Sequence, residues 1–274
     1  MTRNEVFVLF NKAELLKMIK AIFFDIDGTL VSFKTHEISR NTLDTLAMLQ
    51  RKGIRLFIAS GRHLLIMNNL SGFPFDGYVC MNGSLIFDRG ELIYCRPLDR
   101  DDAAAVADFA ETNHIPCVAF MEKEIIMNCR NELTGRVFRM IRLPEPDLTP
   151  FSRHAGKPVC QYTIFVDQAT EDRYFSPVLK HSVTARWHPE FTDIDPENIS
   201  KAEGISRVIS RYGIRREEVM AIGDGGNDVE MLEYAGIGVA MGNATPDVRK
   251  HADFVTSTVD EDGIVAAVRH FGLL

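Results

Sequence analysis

Residues 21–29 read AIFFDIDGT, an apolar run that leads directly into two aspartates, a glycine and a threonine. The run is apolar on both faces, as in a parallel strand covered by helices on either side. Because side chains i and i+2 of a strand share a face, Asp25 and Asp27 point the same way where the strand ends. Open α/β sheets bind ligands at this carboxyl end, and Gly28 lets the chain turn sharply there. An isolated motif of this kind is more often a solvated turn, so the rest of the chain must decide between the two interpretations.

A second acidic turn follows another apolar run far along the chain. Residues 219–222 read VMAI and lead into GDGGND at residues 223–228. Asp224 and Asp228 offer the hard carboxylate oxygens that Mg2+ prefers. The glycines do not fit the G-x-G-x-x-G dinucleotide fingerprint, and Asp224 would face a pyrophosphate there. The two turns together predict a carboxylate cluster that binds a cation.

Two further positions indicate a receptor for an anion beside those carboxylates. Ser60-Gly61-Arg62 follows the apolar run Ile54–Ala59 and is predicted to open a helical stretch, where a hydroxyl and backbone N–H groups bind a phosphate. Lys201 is predicted to start a helix that reaches the same end of the sheet. Taken alone, Ser60 reads as a helix N-cap and Lys201 as a surface lysine, and only their combination favours a site.

The order of apolar runs and helical patterns predicts an α/β fold. Short apolar runs predict strands at 21–24, 54–59, 78–81, 219–222 and 237–241. Helical patterns lie between several of them, at 41–52, 201–212 and 228–234, and a glycine stands one or two residues past each. We therefore expect a Rossmann-like parallel sheet with helices on its faces.

Between residues 84 and 196 the sequence changes to paired short strand patterns beside helical stretches, which predicts an inserted α+β module. Strand candidates lie at 85–87, 92–95, 116–120, 124–128, 159–166 and 183–194, and helical stretches at 99–113, 132–141 and around 170–180. The predicted domains are a core formed by 1–83 and 197–274 and a cap formed by 84–196. Residues 1–17 fit this pattern poorly and are treated as a possible extension that precedes a start at Met18.

Composition excludes several classes of protein. The 31 Lys and Arg against 38 Asp and Glu give a formal charge of -7, so no general attraction to nucleic acid or acidic membranes is expected. The longest N-terminal apolar run is too short for a membrane span or a secretory signal, so we expect a cytoplasmic protein with no membrane partner. The five cysteines are odd in number, widely spaced and without a C-x-x-C pair, which predicts free thiols.

These motifs, in this order, resemble those of a known family. Residues 25–30 (DIDGTL), Ser60-Gly61-Arg62, Lys201 and residues 223–228 (GDGGND) resemble the four motifs of the haloacid dehalogenase superfamily of phosphohydrolases. Met81-Asn82-Gly83 followed by the long insertion resembles its Cof-type branch. Within that branch the pattern is similar to that of hexose-phosphate phosphatases of gut Bacteroides.

The resemblance implies a Mg2+-dependent phosphatase acting on a small phosphorylated metabolite, with a sugar phosphate as the expected substrate. It implies that Asp25 attacks phosphorus, that Asp27 is the acid and base, and that Ser60 and Lys201 hold phosphoryl oxygens. The implied metal ligands are Asp25, the backbone carbonyl of Asp27 and Asp224, with Asp228 orienting them. Substrate binding is assigned to the remaining motif residues, which are Gly61, Arg62, Asn82, Gly83 and Asn227.

Other functions remain open at this point. A signalling receiver domain also forms a phospho-aspartate, but receivers are shorter and lack such an insertion. A sugar-phosphate mutase or phosphotransferase on the same fold, or a phosphatase for pyridoxal phosphate or flavin mononucleotide, fits the motifs equally well. In the insertion, Arg186, Trp187 and His188 are candidates for contacting a sugar, and a packed hairpin explains them about as well. The basic stretch at Arg130, Arg136, Arg139 and Arg142 is interpreted as a solvated helix face.

Overall fold

The computed structural model describes residues 19–154 and 156–274. The predicted extension at residues 1–17 lies outside these residues. The strands, numbered in chain order, are β1 Ala21–Phe24, β2 Arg55–Ala59, β3 Gly77–Cys80, β4 Leu85–Asp88, β5 Glu91–Cys95, β6 Cys117–Phe120, β7 Ile125–Met127, β8 Asp147–Leu148, β9 Gln161–Ile164, β10 Ser182–His188, β11 Phe191–Pro196, β12 Val219–Gly223, β13 Ile237–Ala240 and β14 Phe254–Val255. The α-helices are α1 Arg40–Arg51, α2 Arg100–Thr112, α3 Glu132–Met140, α4 Gln168–Tyr174, α5 Lys201–Tyr212, α6 Val229–Tyr234, α7 Pro246–Arg249 and α8 Gly263–His270.

The described residues divide into two compact units, of which the first contains residues 19–93 together with Ser200–Leu274. Its sheet has the strand order β14-β13-β12-β1-β2-β3-β4-β5. The pairs from β14 through to β3 are parallel, with Phe24 of β1 opposite Ile222 on one side and Ile58 on the other. The α/β fold with a parallel-rich central sheet is therefore confirmed.

Burial explains why residues 21–24 form the central strand. All four side chains are buried, as expected for a strand covered on both faces. On one face, Ile22 and Phe24 belong to an apolar core that also includes Leu46 of α1 and Val268 of α8. The strand cannot slip in register without moving these side chains out of that core.

The second unit, Tyr94–Ile199, is the α+β module predicted as the insertion. Its sheet has the order β10-β11-β9-β6-β7-β8. One face carries an apolar core that includes Val106 of α2 and Ile164 of β9. The other face carries a smaller cluster in which Val137 of α3 packs with Val118 of β6.

The unit boundaries differ from the predicted ones. The sequence assigns the strands after residue 84 to the insertion, whereas β4 pairs antiparallel with β3, with Val79 opposite Ile86, and extends the sheet of the first unit. A strand pattern predicts that a strand forms but does not identify its partner strand, which explains the difference.

A search of the described helices finds none that is both long enough and apolar enough to span a membrane.

Candidate active site

Several of the predicted site residues lie at one edge of the first unit's sheet, because they follow neighbouring parallel strands. Asp25 follows β1, Asp224 follows β12 and Ser60 follows β2, and these three strands are neighbours. Because parallel strands end at the same edge, their following turns meet there. A sharp turn at Gly28, with φ of 83°, brings the chain against the Asp224 carboxylate, where a side chain on residue 28 would clash.

Lys201 is the centre of this site. Its ammonium donates to Oδ1 of Asp25 at 2.6 Å and to Oδ1 of Asp228 at 2.6 Å, and its side chain is 0% exposed. Lys201 is the first residue of α5, and Ser200 caps that helix by accepting from the backbone N–H of Glu203. The interpretation of Lys201, taken alone, as a surface lysine is therefore wrong.

Two acidic residues of the second turn have different roles in the hydrogen-bond network. Asp228 accepts from Lys201 through one oxygen and from the backbone N–H groups of Asp224 and Gly225 through the other. It therefore fixes the shape of the turn. Asp224 accepts from the Thr29 hydroxyl at 2.8 Å and from the Asn243 amide at 2.9 Å.

Burial and crowding of like charges shift the proton affinities of these groups. Burial raises the pKa of Asp25 to about 8, with the Asp228 and Asp224 carboxylates adding to the effect and Lys201 opposing it. Burial also raises the pKa of Asp224 to about 6. For Lys201 burial lowers the pKa, but the Asp228 and Asp25 carboxylates outweigh it and the net shift is upward. The lysine is thus charged at neutral pH, whereas burial favours the neutral forms of Asp25 and Asp224.

The donor set fits a hard divalent cation. Asp25, Asp224 and Asp228 each present a carboxylate oxygen within 4.8 Å of the others. A carboxylate has about four acceptor positions, of which Asp228 uses three while Asp25 and Asp224 keep spare capacity. Asp25 and Asp224 are therefore the residues suited to ligate such an ion, and Asp228 to orient them.

Asp27 forms a separate ion pair with Arg62. The guanidinium donates from Nε to Oδ2 at 2.7 Å and from its terminal nitrogen to Oδ1 at 2.6 Å, a bidentate geometry. Both residues belong to the predicted site, but their spacing in the sequence does not predict this pairing. The metal role predicted for Asp27 involves its backbone carbonyl and does not compete with the ion pair.

Ser60 is buried at the end of β2, and its hydroxyl oxygen accepts from the backbone N–H of Arg62 at 3.1 Å. The predicted helix after Ser60 is wrong. A short 3-10 turn at Leu64–Ile66, capped by the His63 side chain, is the only helical element described between Ser60 and β3. The intervening glycine, proline and asparagine residues explain why no regular helix continues.

The remaining predicted binding residues fall into two groups. Asn227 donates to the Asn82 side chain at 3.0 Å, and Gly61 lies beside this pair. Gly83 has φ of 106°, and a Cβ there would clash with the Ser200 carbonyl. Gly83 therefore allows the close approach of α5 at its first residue, and the role of Gly83 in substrate binding stays a prediction.

Two residues of the site carry roles that the sequence analysis misses. Thr29 stands in the first motif but is given no task there, and Asn243 is not singled out at all. The Asn243 amide bridges the Gly28 carbonyl and Asp224. Its position shortly after β13, the strand next to β12, is the signal that could have identified it.

Within the second unit, the Arg186 guanidinium forms hydrogen bonds that stabilise the β10–β11 hairpin. Its guanidinium contacts Glu171 at 2.6 Å and donates to four backbone carbonyls, including Val166. Trp187 is 63% exposed and donates its indole N–H to Asp193, while the His188 ring stacks on Phe191. Of the three sugar-contact candidates, Trp187 has the largest surface available to a ligand. The basic stretch is partly paired, since Arg130 and Arg136 form ion pairs with Glu145 and Glu190.

This arrangement, a buried lysine between aspartates from two strand ends, belongs to a recognised family. The family of haloacid dehalogenase-like hydrolases matches residues 22–268. The chain is therefore a member of that family, and its phosphatase relatives support a phosphatase activity.

Individual relatives cover nearly the whole chain. The putative phosphatase YkrA of Bacillus subtilis (strain 168) is 37% identical, covering 93% of this chain and 98% of the relative. The solved structure of a subclass IIB sugar phosphatase of the haloacid dehalogenase superfamily is 40% identical, with a TM-score of 0.83 over 93% of this chain and 100% of the other. A phosphatase of this superfamily from Bacteroides thetaiotaomicron is 33% identical, with a TM-score of 0.85 over 97% and 99% of the two chains.

Proposed function

We propose that the protein is a Mg2+-dependent phosphohydrolase that cleaves phosphate monoesters, with hexose phosphates as its substrates, through an aspartyl-phosphate at Asp25. The observation that carries the proposal is the buried Lys201 ammonium bound at 2.6 Å to both Asp25 and Asp228. The Lys201 ammonium opposes the effect of burial on the pKa of Asp25 and so favours the ionised carboxylate that would attack phosphorus.

In the first step an Asp25 oxygen forms a bond to phosphorus and the bond from phosphorus to the leaving oxygen breaks. Asp27 gives its proton to that oxygen, so the alcohol leaves neutral. In the second step Asp27 takes a proton from water, the water oxygen bonds to phosphorus, and the Asp25–phosphorus linkage breaks. Ser60 and Lys201 bind phosphoryl oxygens throughout, with Asn82 and Asn227 beside them, so the chain acts chiefly by positioning and charge neutralisation.

Asp25 and Asp224, together with the Asp27 carbonyl, would hold Mg2+. When bound, the ion neutralises phosphoryl charge and relieves the repulsion between the carboxylates. Burial raises the pKa values of both carboxyl groups, and a cation bound between them would favour their ionised forms, which supports this assignment. Asp224→Ala should therefore raise the Mg2+ concentration needed for half-maximal activity, and an unchanged metal titration would remove Asp224 from the ligand set.

The hexose-phosphate substrate rests on similarity. The subclass IIB relative that is 40% identical is called a sugar phosphatase. A relative from Bacillus subtilis that is 29% identical is named for a ribitylaminouracil phosphate. Relatives thus differ in the leaving group that they recognise. We assign this recognition to the predicted cap, residues 84–196 by sequence, most of which forms the second unit.

A phosphate-release screen with Mg2+ tests the proposal. The panel contains hexose 6-phosphates, pentose phosphates, pyridoxal phosphate, flavin mononucleotide and nucleotides, and the sugar product is analysed as well as the phosphate. We expect the highest kcat/KM for a hexose phosphate, free phosphate as product, and no turnover by Asp25→Asn. An isomerised sugar phosphate would indicate a mutase, and phosphate passed to a second alcohol would indicate a phosphotransferase.

The role of Trp187 gives a second test of substrate choice. Trp187→Ala should change the ranking of sugar phosphates more than it changes hydrolysis of acetyl phosphate, which has almost no leaving group to recognise. Arg186→Lys is the contrasting variant. Because Arg186 holds its hairpin together, that change should lower the stability of the second unit instead of altering the ranking. A uniform loss over all substrates for Trp187→Ala would contradict a role in reading the sugar.

A further inference from the structure

Two of the cysteines in the second unit face each other. The Cys95 and Cys160 sulfur atoms lie 3.6 Å apart. Cys95 ends β5 and is partly exposed, whereas Cys160 immediately precedes β9 and is fully buried. All five cysteines of the chain are free thiols, as the sequence predicts, and this is the pair whose sulfur atoms are in contact among the described residues.

The backbone holds the two thiols in this position. The N–H of Leu98 donates to the carbonyl of Val159 at 2.8 Å, which fastens the segment after Cys95 to the segment before Cys160. The N–H of Cys160 donates to Phe120 of β6 at 2.7 Å, so the buried partner is itself anchored in the sheet. A disulfide requires the sulfur atoms to approach to about 2.05 Å, which is a closure of about 1.5 Å from their present separation.

We propose that Cys95 and Cys160 form an oxidation site, a dithiol that hydroperoxides convert into a reversible intramolecular disulfide. Nothing in the phosphatase chemistry proposed above uses either residue. Because β5 begins in the first unit and Cys95 already belongs to the second, the new bond would tie the end of this connecting strand to β9.

The reactivity of the two sulfur atoms is asymmetric. The hydrogen bond from Cys160 lowers the pKa of the Cys95 thiol, while burial and the nearby Glu122 carboxylate act in the opposite direction. The same hydrogen bond, followed by burial, raises the pKa of Cys160. Cys95 is thus the thiol of the pair that ionises more readily, and the thiolate is the form that attacks peroxides. Cys129, by comparison, is partly exposed but has its pKa raised by burial.

The reaction balances with a hydroperoxide as the oxidant. The Cys95 thiolate attacks one oxygen of hydrogen peroxide, the O–O bond breaks, and hydroxide leaves while Cys95 becomes a sulfenic acid. The Cys160 sulfur then attacks the Cys95 sulfur, the S–S bond forms, and the sulfenic hydroxyl leaves as water with the proton of Cys160. Two thiols lose two electrons, and one peroxide is reduced to two waters.

Peptide mapping of the full chain tests the proposal. The reduced protein is treated with a small excess of hydrogen peroxide, alkylated under denaturing conditions and digested with trypsin. Because trypsin does not cut before proline, Cys95 is released in residues 90–100 and Cys160 in residues 154–173, and each other cysteine is in a separate peptide. We expect these two peptides to appear linked, the count of free thiols to fall from five to three, and dithiothreitol to restore all five.

Three variants separate this site from general thiol oxidation. Cys160→Ser should leave a sulfenic acid on Cys95 that dimedone traps, and Cys95→Ser should leave Cys160 reduced. Cys129→Ser is the matched control and should form the Cys95–Cys160 link at the wild-type rate. The proposal is overturned if the linked peptide is absent, if Cys95 links to a different cysteine, or if Cys95 is oxidised no faster than Cys129. The wild-type map decides the question even if the Cys160 variant fails to fold.

Discussion

Replacing Lys201 by methionine removes the ammonium that contacts both Asp25 and Asp228, while keeping a side chain of similar length. With all three carboxylates ionised, the cluster of Asp25, Asp224, Asp228 and Lys201 has a formal charge of -2. Because burial already raises the pKa of Asp25 to about 8, the variant would leave three buried carboxyl groups that can no longer all be ionised. Removing one partner of a buried ion pair costs about 3–5 kcal/mol of folding stability.

This stability loss is measurable by thermal or denaturant unfolding in EDTA. At roughly 2–4 °C per kcal/mol for a chain of this size, the melting temperature should fall by at least about 6 °C. Turnover should fall by about 10²–10³-fold or more, since a preorganised charge that stabilises the transferring phosphoryl group is lost. Lys250→Met is the control, because Lys250 forms an exposed pair with Asp247 that is worth about 0–1 kcal/mol.

A double variant separates the structural role of Lys201 from its chemical role. Lys201→Met combined with Asp228→Asn restores the net charge to -2, and the amide introduced at position 228 retains an oxygen that can accept from the turn's backbone N–H groups. We expect most of the lost stability to return while turnover stays low. Recovery of activity along with stability would refute the assignment of Lys201 to the reaction. An unchanged melting temperature in the single variant would refute the argument that it neutralises the buried carboxylates.

Three further predictions address other parts of the first unit. Asp27→Asn should reduce turnover of a hexose phosphate more than that of an activated aryl phosphate, whose leaving group hardly needs a proton; equal losses in steady-state kinetics would speak against Asp27 as the acid. Gly83→Ala should lower the denaturant midpoint more than Gly90→Ala does, because both have positive φ but only Gly83 has no room for a Cβ; similar midpoints would contradict the close approach of α5. Glu218→Gln should lower the free energy of unfolding at neutral pH and lower it less in acid, because a lysine ammonium and a backbone N–H lower the pKa of Glu218 to about 2. The stabilisation by the ionised carboxylate is fully present above the ordinary pKa near 4.5 and is lost as the pH falls through about 2. A difference in unfolding free energy that does not change with pH would argue against this role.

Local patterns in the sequence predict the elements whose boundaries depend on burial and capping. The apolar run Ala21–Phe24 coincides with β1, because its four side chains must all be buried. Helix α5 runs from Lys201 to Tyr212 as predicted, since Ser200 caps its start and Gly213 adopts the left-handed conformation at its end. The broad strand candidate at 183–194 is instead the hairpin of β10 and β11, because Pro189 interrupts it.

The sequence could not predict which side chains contact each other across turns and between distant segments. Asp25, Asp224 and Lys201 can be predicted to converge, because each stands at the end of an element that reaches the same sheet edge. The bidentate contact of Arg62 with Asp27 depends on side-chain direction across a turn, which no spacing rule encodes. The contact of the two cysteines likewise joins residues 65 positions apart and becomes visible only after the sheet of the second unit is formed.

The pairing of Arg62 with Asp27 sets the order of events in the proposed reaction. Each Asp27 oxygen accepts one hydrogen bond from the guanidinium, so the proposed acid is held in an ion pair. A phosphate ester is a second anion for the same guanidinium, and its geometry suits the same two-pronged contact. In the proposed reaction, a contact of Arg62 with the ester would release Asp27 from its ion pair. Substrate binding and the release of the proposed acid would therefore be coupled through the Arg62 side chain.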